Sequence, residues 1–224
     1  MPPETWVKRV FIVVSKKNRR IVQEFVEQYQ ANNGDITCEL ILQEFLGGTG
    51  HALLGLEKNL TGKSFLLLLG DEYFNDIDSF RKMKSFNKNN LILGIVAYDD
   101  LDRIMAVCNV QIKNNYVSQF VDKPTKEQIK SHWCWDGSVV LDSSIFRVLH
   151  ELKDPNLLKK KDNLCLVKAM QRLVEQNHKV TVLKKKCKNI NITTDLDYIE
   201  ASLLEIKKIY GTNKLVVFLN SIYK

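Results

Sequence analysis

The sequence predicts an α/β fold: a mostly parallel, Rossmann-like sheet flanked by helices, with an antiparallel hairpin lobe added. Three observations carry this prediction. Apolar runs of strand length alternate with amphipathic runs of helix length from Val10 to Ala97, as repeated βα units require. A polar, glycine-rich stretch from Gln43 to Leu53 opens a helix. Five consecutive apolar residues, Phe65 to Leu69, are then followed by Gly70 and Asp71. Such a run fits a strand buried on both faces, and open α/β sheets bind ligands at the carboxyl ends of such strands.

Taken in order, Val10 to Ser15 is rich in β-branched residues and reads as a strand, followed by a helix from Asn18 to Gln30. Thr37 to Leu42 reads as the second strand. Gly47, Gly48 and Gly50 let the next loop turn sharply and approach a ligand closely. Thr49 can cap the helix expected over His51 to Leu60, on which Leu53, Leu54, Leu56 and Leu60 recur at helical spacing. The free N–H groups of that helix start would favour an anion. The strand Phe65 to Leu69, a helix from Ser79 to Phe86 and a strand from Leu91 to Ala97 complete the alternation.

The pattern then changes. Ile104 to Ile112 and Tyr116 to Val121, joined by Lys113, Asn114 and Asn115, alternate like an antiparallel hairpin, expected as a lobe over the strand ends. It leads into Asp122, Lys123 and Pro124. Ser138 to Leu141 returns as a strand, Ser144 to Leu152 and Leu164 to Gln176 read as helices, and Lys179 to Leu183 as a strand. A segment from Lys188 to Asp197 precedes a final helix from about Leu196 to Tyr210.

Composition narrows the function classes. At 224 residues and 45% hydrophobic, the chain can bury one substantial core. No apolar run is long enough to span a bilayer, and the first residues lack the apolar stretch of a signal peptide, so a cytoplasmic protein without a membrane partner is expected. Five cysteines without C-x-x-C spacing indicate reduced thiols rather than a zinc site or disulfides. The net charge of +7 comes from small lysine clusters, Lys159 to Lys161 and Lys184 to Lys186 among them, without interleaved aromatics. These read as solvated faces, not a nucleic-acid surface, though the field would favour phosphorylated substrates.

Five motifs stand in one order: Gln43 with Leu46 to Leu53, then Gly70 and Asp71, then Asp122, Lys123 and Pro124, then Gly137, then Asn189 to Asp197. In this order the chain resembles the sugar-1-phosphate nucleotidyltransferases over nearly its whole length, from Val10 onward. The resemblance implies a nucleotide-diphospho-sugar-transferase fold as one domain over 1–224, with a nucleotide-binding part at 7–100 and a sugar-phosphate-binding part with C-terminal helices at 101–224. It also implies the reaction of an NTP with a sugar 1-phosphate to give an NDP-sugar and pyrophosphate. Gln43 would read the nucleobase, and Gly48, Thr49 and His51 would line base and ribose. Asp71 would hold Mg²⁺ together with Asn191, where many members have Asp. Asp122 and Lys123 match the family's Glu-Lys-Pro, with Lys123 facing the acceptor phosphate, and Gly137 falls in the same substrate region.

One part of the family pattern has no match. The opening strand, Val7 to Ser15, resembles the family's second βα unit, so a unit of about 30 residues carrying the Gly-x-Gly-Thr-Arg phosphate loop is not seen. Turnover by the chain alone is therefore expected to be strongly reduced unless another segment, such as Lys16 to Arg20, substitutes. The flanking strands would keep unpaired edges, open to a second copy or a partner chain. Two other readings thus stand beside the enzyme: a catalytically silent relative that binds a nucleotide or NDP-sugar, and a structural module acting through the exposed edge.

Overall fold

In a computed structural model the described residues are 7–32, 36–75, 78–85, 91–153, 163–186, 189–214 and 216. Cys187, Phe86 and the Lys159 to Lys161 cluster lie outside them. The chain forms two compact units, one from the residues up to Ser64 with Asp142–Asn177, the other from Phe65–Leu141 with the residues from His178 on.

In the first unit, β1 (Arg9–Ser15) and β2 (Thr37–Gln43) pair in parallel, with Ser15 opposite Gln43, and α1 (Arg19–Asn32) connects them. Asn18 closes the turn into α1 by accepting from the Ser15 N–H at 2.8 Å and hydroxyl at 3.0 Å. The helix expected over His51 to Leu60 is two short ones, α2 (Thr49–Leu54) and α3 (Glu57–Leu60), because the chain breaks at Gly55, a poor helix former. Two later helices, α6 (Ser144–Leu152) and α7 (Leu166–Glu175), complete the unit, burying Phe146, Leu149, Met170 and Leu173.

The second unit is built on a six-stranded sheet whose order is β3 (Phe65–Leu68), β8 (Trp133–Leu141), β5 (Leu91–Ala97), β9 (Val180–Lys184), β7 (Tyr116–Asp122), β6 (Cys108–Lys113). β5 and β9 are parallel, whereas β8 runs antiparallel to both β3 and β5, so the sheet is mixed. β3 is an edge strand, which leaves it half-buried rather than covered on both faces, with Leu68 44% exposed. Among the described residues β1 pairs only with β2 and β3 only with β8.

The hairpin β6–β7 turns through Asn114 and Asn115, both at positive φ, as a two-residue turn of this hand requires. It is no separate lobe: β6 also pairs with β8 and β7 with β9, making the hairpin the far end of the sheet. Nor does its first strand begin at Ile104. Asp100 accepts from the Asp102 N–H at 2.9 Å and caps α5 (Leu101–Ala106), which buries Ile104 against Val96, Tyr98 and Cys134.

Besides α4 (Asp78–Ser85), the unit holds a two-stranded ladder in which β4 (Glu72–Tyr73) pairs antiparallel with β10 (Ile190–Asn191). The last helix, α8 (Asp195–Tyr210), starts at a capping box in which Thr194 accepts from Asp197 N while the Asp197 carboxylate accepts from Thr194. Four hydrogen bonds from Thr193 and Thr194 hold the Asp197 carboxyl down at about 2.

Candidate functional site

The expected base-side residues gather in the first unit. β2 ends at Gln43, whose Nε2 donates to the Gly48 carbonyl at 3.2 Å and lies 3.5 Å from His51 Nδ1. With its N–H group so engaged, Gln43 keeps its Oε1 as an acceptor among the described residues. The His51 ring stands edge-on to Phe45, centroids 5.6 Å apart.

The glycine loop is zipped to the segment before α7. Gly50 N–H donates to the Leu164 carbonyl at 2.8 Å and Leu164 N–H to the Gly47 carbonyl at 2.7 Å. Gly48 has φ 93°, and a Cβ there would lie 2.7 Å from the Leu164 carbonyl oxygen, so only glycine fits. One sequence expectation changes here. Thr49 does not cap its own helix: it is the first residue of α2, and its hydroxyl instead accepts from Leu166 N–H, the first N–H of α7, at 3.1 Å. At the start of α2 the Gly50 N–H is taken by the Leu164 carbonyl.

The expected metal-side residues gather in the second unit, around one residue the sequence reading missed. Asp71 follows β3 in an exposed turn, and its carboxylate makes no hydrogen bond or ion pair among the described residues. The β4–β10 ladder sets Asn191 opposite Glu72, and Ile192 N–H donates to the Asp71 carbonyl at 2.7 Å. Asn191 Nδ2 donates to Glu72 Oε1 at 2.9 Å. Burial pushes the Glu72 carboxyl up to about 7, opposed by the Asn191 hydrogen bond and reinforced by the charges of Asp71 and Asp136. Gly137 is not at a strand start but inside β8, in an irregularity opposite Gly94, with φ 83°. A Cβ on Gly137 would lie 2.6 Å from Glu72 Cγ, so this glycine is what lets Glu72 fit.

Beneath this cluster lies a buried ion pair. Lys185 Nζ approaches Asp136 Oδ2 at 2.5 Å, with side chains 1% and 0% exposed, and donates to Ser138 Oγ at 3.1 Å. The ammonium also sits over the Phe80 and Phe74 rings at 4.4 and 5.2 Å. Asp136 Oδ1 accepts from Ser138 N–H and hydroxyl, and its backbone carbonyl accepts from Asn189 Nδ2 at 2.7 Å. Lys185 therefore does not belong to the solvated face expected for Lys184 to Lys186. It is the inward residue just past β9, in a run of lysines that hides it.

Asp122 and Lys123 close β7, both exposed, with Lys123 at φ 47° and its N–H bonded to the Val107 carbonyl at 3.1 Å. The Lys123 ammonium makes no ion pair among the described residues. Pro124 is buried behind it.

Hard oxygen donors suit Mg²⁺, which keeps several waters and needs few protein ligands. The Asp71 carboxylate and Asn191 Oδ1 fit that demand, because Asn191 spends its Nδ2 on Glu72 and leaves its carbonyl oxygen for a cation. Among the described residues no group of three or more His, Cys, Asp or Glu side chains forms a metal cluster.

Comparison with solved structures places the architecture. The UDP-glucose pyrophosphorylase from Acinetobacter baumanii matches at TM-score 0.74 and 17% identity, over 96% of this chain and 83% of that one. The inositol-1-phosphate CTP transferase from T. maritima matches at TM-score 0.69 and 18% identity, over 90% and 78%. The fold is thus that of the nucleotide-diphospho-sugar transferases. In sequence, the bifunctional protein GlmU of Methanococcus maripaludis is 28% identical over 174 residues, 77% of this chain. The chain is thus similar in sequence to GlmU and in fold to sugar-phosphate nucleotidyltransferases. It spans 37% of the length of that relative. No family model matches it.

Proposed function

We propose that the chain transfers a nucleoside monophosphate from an NTP to a sugar 1-phosphate, or a similar small phosphate, with release of pyrophosphate. The observation that carries this reading is the β4–β10 ladder, which sets Asn191 beside Asp71 at the end of β3. In the reaction an acceptor phosphate oxygen bonds to the α-phosphorus as the bond to the β-phosphate oxygen breaks, and the electron pair leaves with pyrophosphate. Charge then builds on the α-phosphoryl oxygens, so cations held in place beforehand lower the barrier. Mg²⁺ held by Asp71 and Asn191 would supply positive charge there. Gln43 Oε1 accepts from a base N–H, while Gly48, Thr49 and His51 line base and ribose. Lys123 neutralises the acceptor phosphate, with Asp122 and Gly137 in the substrate region. A cytoplasmic location belongs to the same proposal, as does a second copy or partner chain at the free edge.

A second reading, a relative that binds nucleotide without turnover, is favoured by one observation: no Gly-x-Gly-Thr-Arg sequence occurs in the 224 residues. Titration with UTP, CTP, GTP and dTTP, with and without Mg²⁺, beside pyrophosphate release from mixed sugar 1-phosphates, separates the two. Binding with release is expected from the enzyme, and binding alone from the silent relative. Asp71→Ala should abolish the metal-dependent part of binding and leave the melting temperature unchanged, since Asp71 is exposed and unpaired. Nucleotide affinity unchanged in that variant would refute the assignment.

A further inference from the structure

We infer that Glu72 is a positioning residue: it holds the Asn191 carboxamide by its nitrogen and so fixes the carboxamide oxygen as a cation ligand beside Asp71. This rests on the reading of Asp71 and Asn191 as the Mg²⁺ ligands.

Three contacts converge on Glu72. An Asn side chain can present either end, and here its Nδ2 donates to Glu72 Oε1 at 2.9 Å, so the nitrogen is the end engaged. The oxygen is then the end that remains. Backbone pairing fixes the distance over which this works, because Asn191 and Glu72 are register partners and Ile192 N–H closes the ladder on the Asp71 carbonyl. Glu72 itself is held from the other side by Gly137, whose missing side chain leaves just enough room for Glu72 Cγ. The outcome is a neutral ligand whose orientation is set without its own charge, beside a charged ligand, Asp71, that is left free. Partners of this kind outside the ligand shell are typically worth about 10–100-fold in metal affinity.

Charge and orientation make different demands on Glu72, and two variants separate them. Glu72→Gln removes the negative charge but keeps an acceptor for Asn191 Nδ2; Glu72→Ala removes both. The primary measurement is Mn²⁺ binding to the protein without nucleotide, followed by electron paramagnetic resonance. Glu72→Gln is expected to bind within about 3-fold of the wild type, and Glu72→Ala to lose about 10-fold or more. In parallel, the ¹⁵N-labelled Asn191 side-chain amide protons should exchange slowly in the wild type and in Glu72→Gln, and fast in Glu72→Ala. Melting temperatures check that each variant is folded, and the amide protons report on positioning in any variant that folds.

Equal losses in both variants would mean that Glu72 acts through its charge, and would overturn the inference. So would Mn²⁺ affinity and amide exchange in Glu72→Ala that match the wild type; in that case the metal reading stands and only the role of Glu72 falls. A wild type that takes up no Mn²⁺ removes the metal reading and the inference with it.

Discussion

Replacing Lys185 by Met should unfold the second unit far more easily than any change at an exposed lysine. Lys185 and Asp136 are 1% and 0% exposed, and Asp136 Oδ2 accepts no aligned hydrogen bond, so the ammonium charge alone compensates it. Removing one partner of a buried pair costs about 3–5 kcal/mol, because the other charge stays in a low-dielectric site. Met keeps the packing over Phe74 and Phe80, so the loss isolates the charge. Against a domain stability of about 5–15 kcal/mol this is a large fraction. Urea unfolding followed by tryptophan fluorescence measures it, and Trp135 is a local reporter, buried with its ring N–H donating to the Ser138 carbonyl at 2.9 Å. The urea midpoint should fall with the slope unchanged. The double variant Lys185→Met with Asp136→Asn should recover to within about 1–2 kcal/mol of the wild type, since Asn still accepts from Ser138 and leaves no buried charge. A loss below about 1 kcal/mol in the single variant, or a double variant no better than the single, would refute the reasoning.

Three further outcomes are expected. Gly137→Ala puts a methyl 2.6 Å from Glu72 Cγ at φ 83°, and should cost about 2–4 kcal/mol in thermal or urea unfolding; a variant as stable as the wild type would contradict the geometry. Lys123→Ala should weaken a sugar 1-phosphate more than an NTP in calorimetric titration, and equal losses would remove its acceptor role. The Glu72 carboxyl is held at about 7 when folded against 4.5 otherwise, so over that range the folded state keeps a proton that the unfolded chain has lost. The resulting penalty is absent below about pH 4.5 and complete above about pH 7, so stability falls as pH rises between them, by about 1–2 kcal/mol once partial exposure is allowed for. Urea midpoints at pH 5 and pH 8 should differ in the wild type and converge in Glu72→Gln.

The strands Arg9–Ser15, Thr37–Gln43 and Leu91–Ala97 are legible because each is a short apolar run bounded by polar residues, and period and length suffice to recognise it. The start of α8 is legible too, since Thr194 and Asp197 form a cap within four residues. Errors arise where two signals compete. Ile104 to Ile112 alternates like a strand, yet Asp100 caps a helix there, and the cap together with the burial of Ile104 decides the conformation. The start of β8 is hidden because Asp136 and Ser138 are polar, although both are buried in the sheet by their own hydrogen bonds. At the site, Asp71 and Asn191 are visible as motif residues, whereas Glu72 gains its role from a partner 119 positions away. Lys185 is the same case: nothing local distinguishes it from Lys184 and Lys186, and only the fold turns it inward.

The zipper between Gly47–Gly50 and Leu164–Leu166 joins segments more than a hundred residues apart in the chain. During synthesis the glycine loop therefore emerges long before its partner, and the whole of Phe65–Leu141 must leave the ribosome in between. Contacts of such separation form late and slowly. The first unit can mature only after the second has been mostly translated, and a nascent chain stalled before Leu166 carries a glycine loop that is present in sequence but not yet shaped.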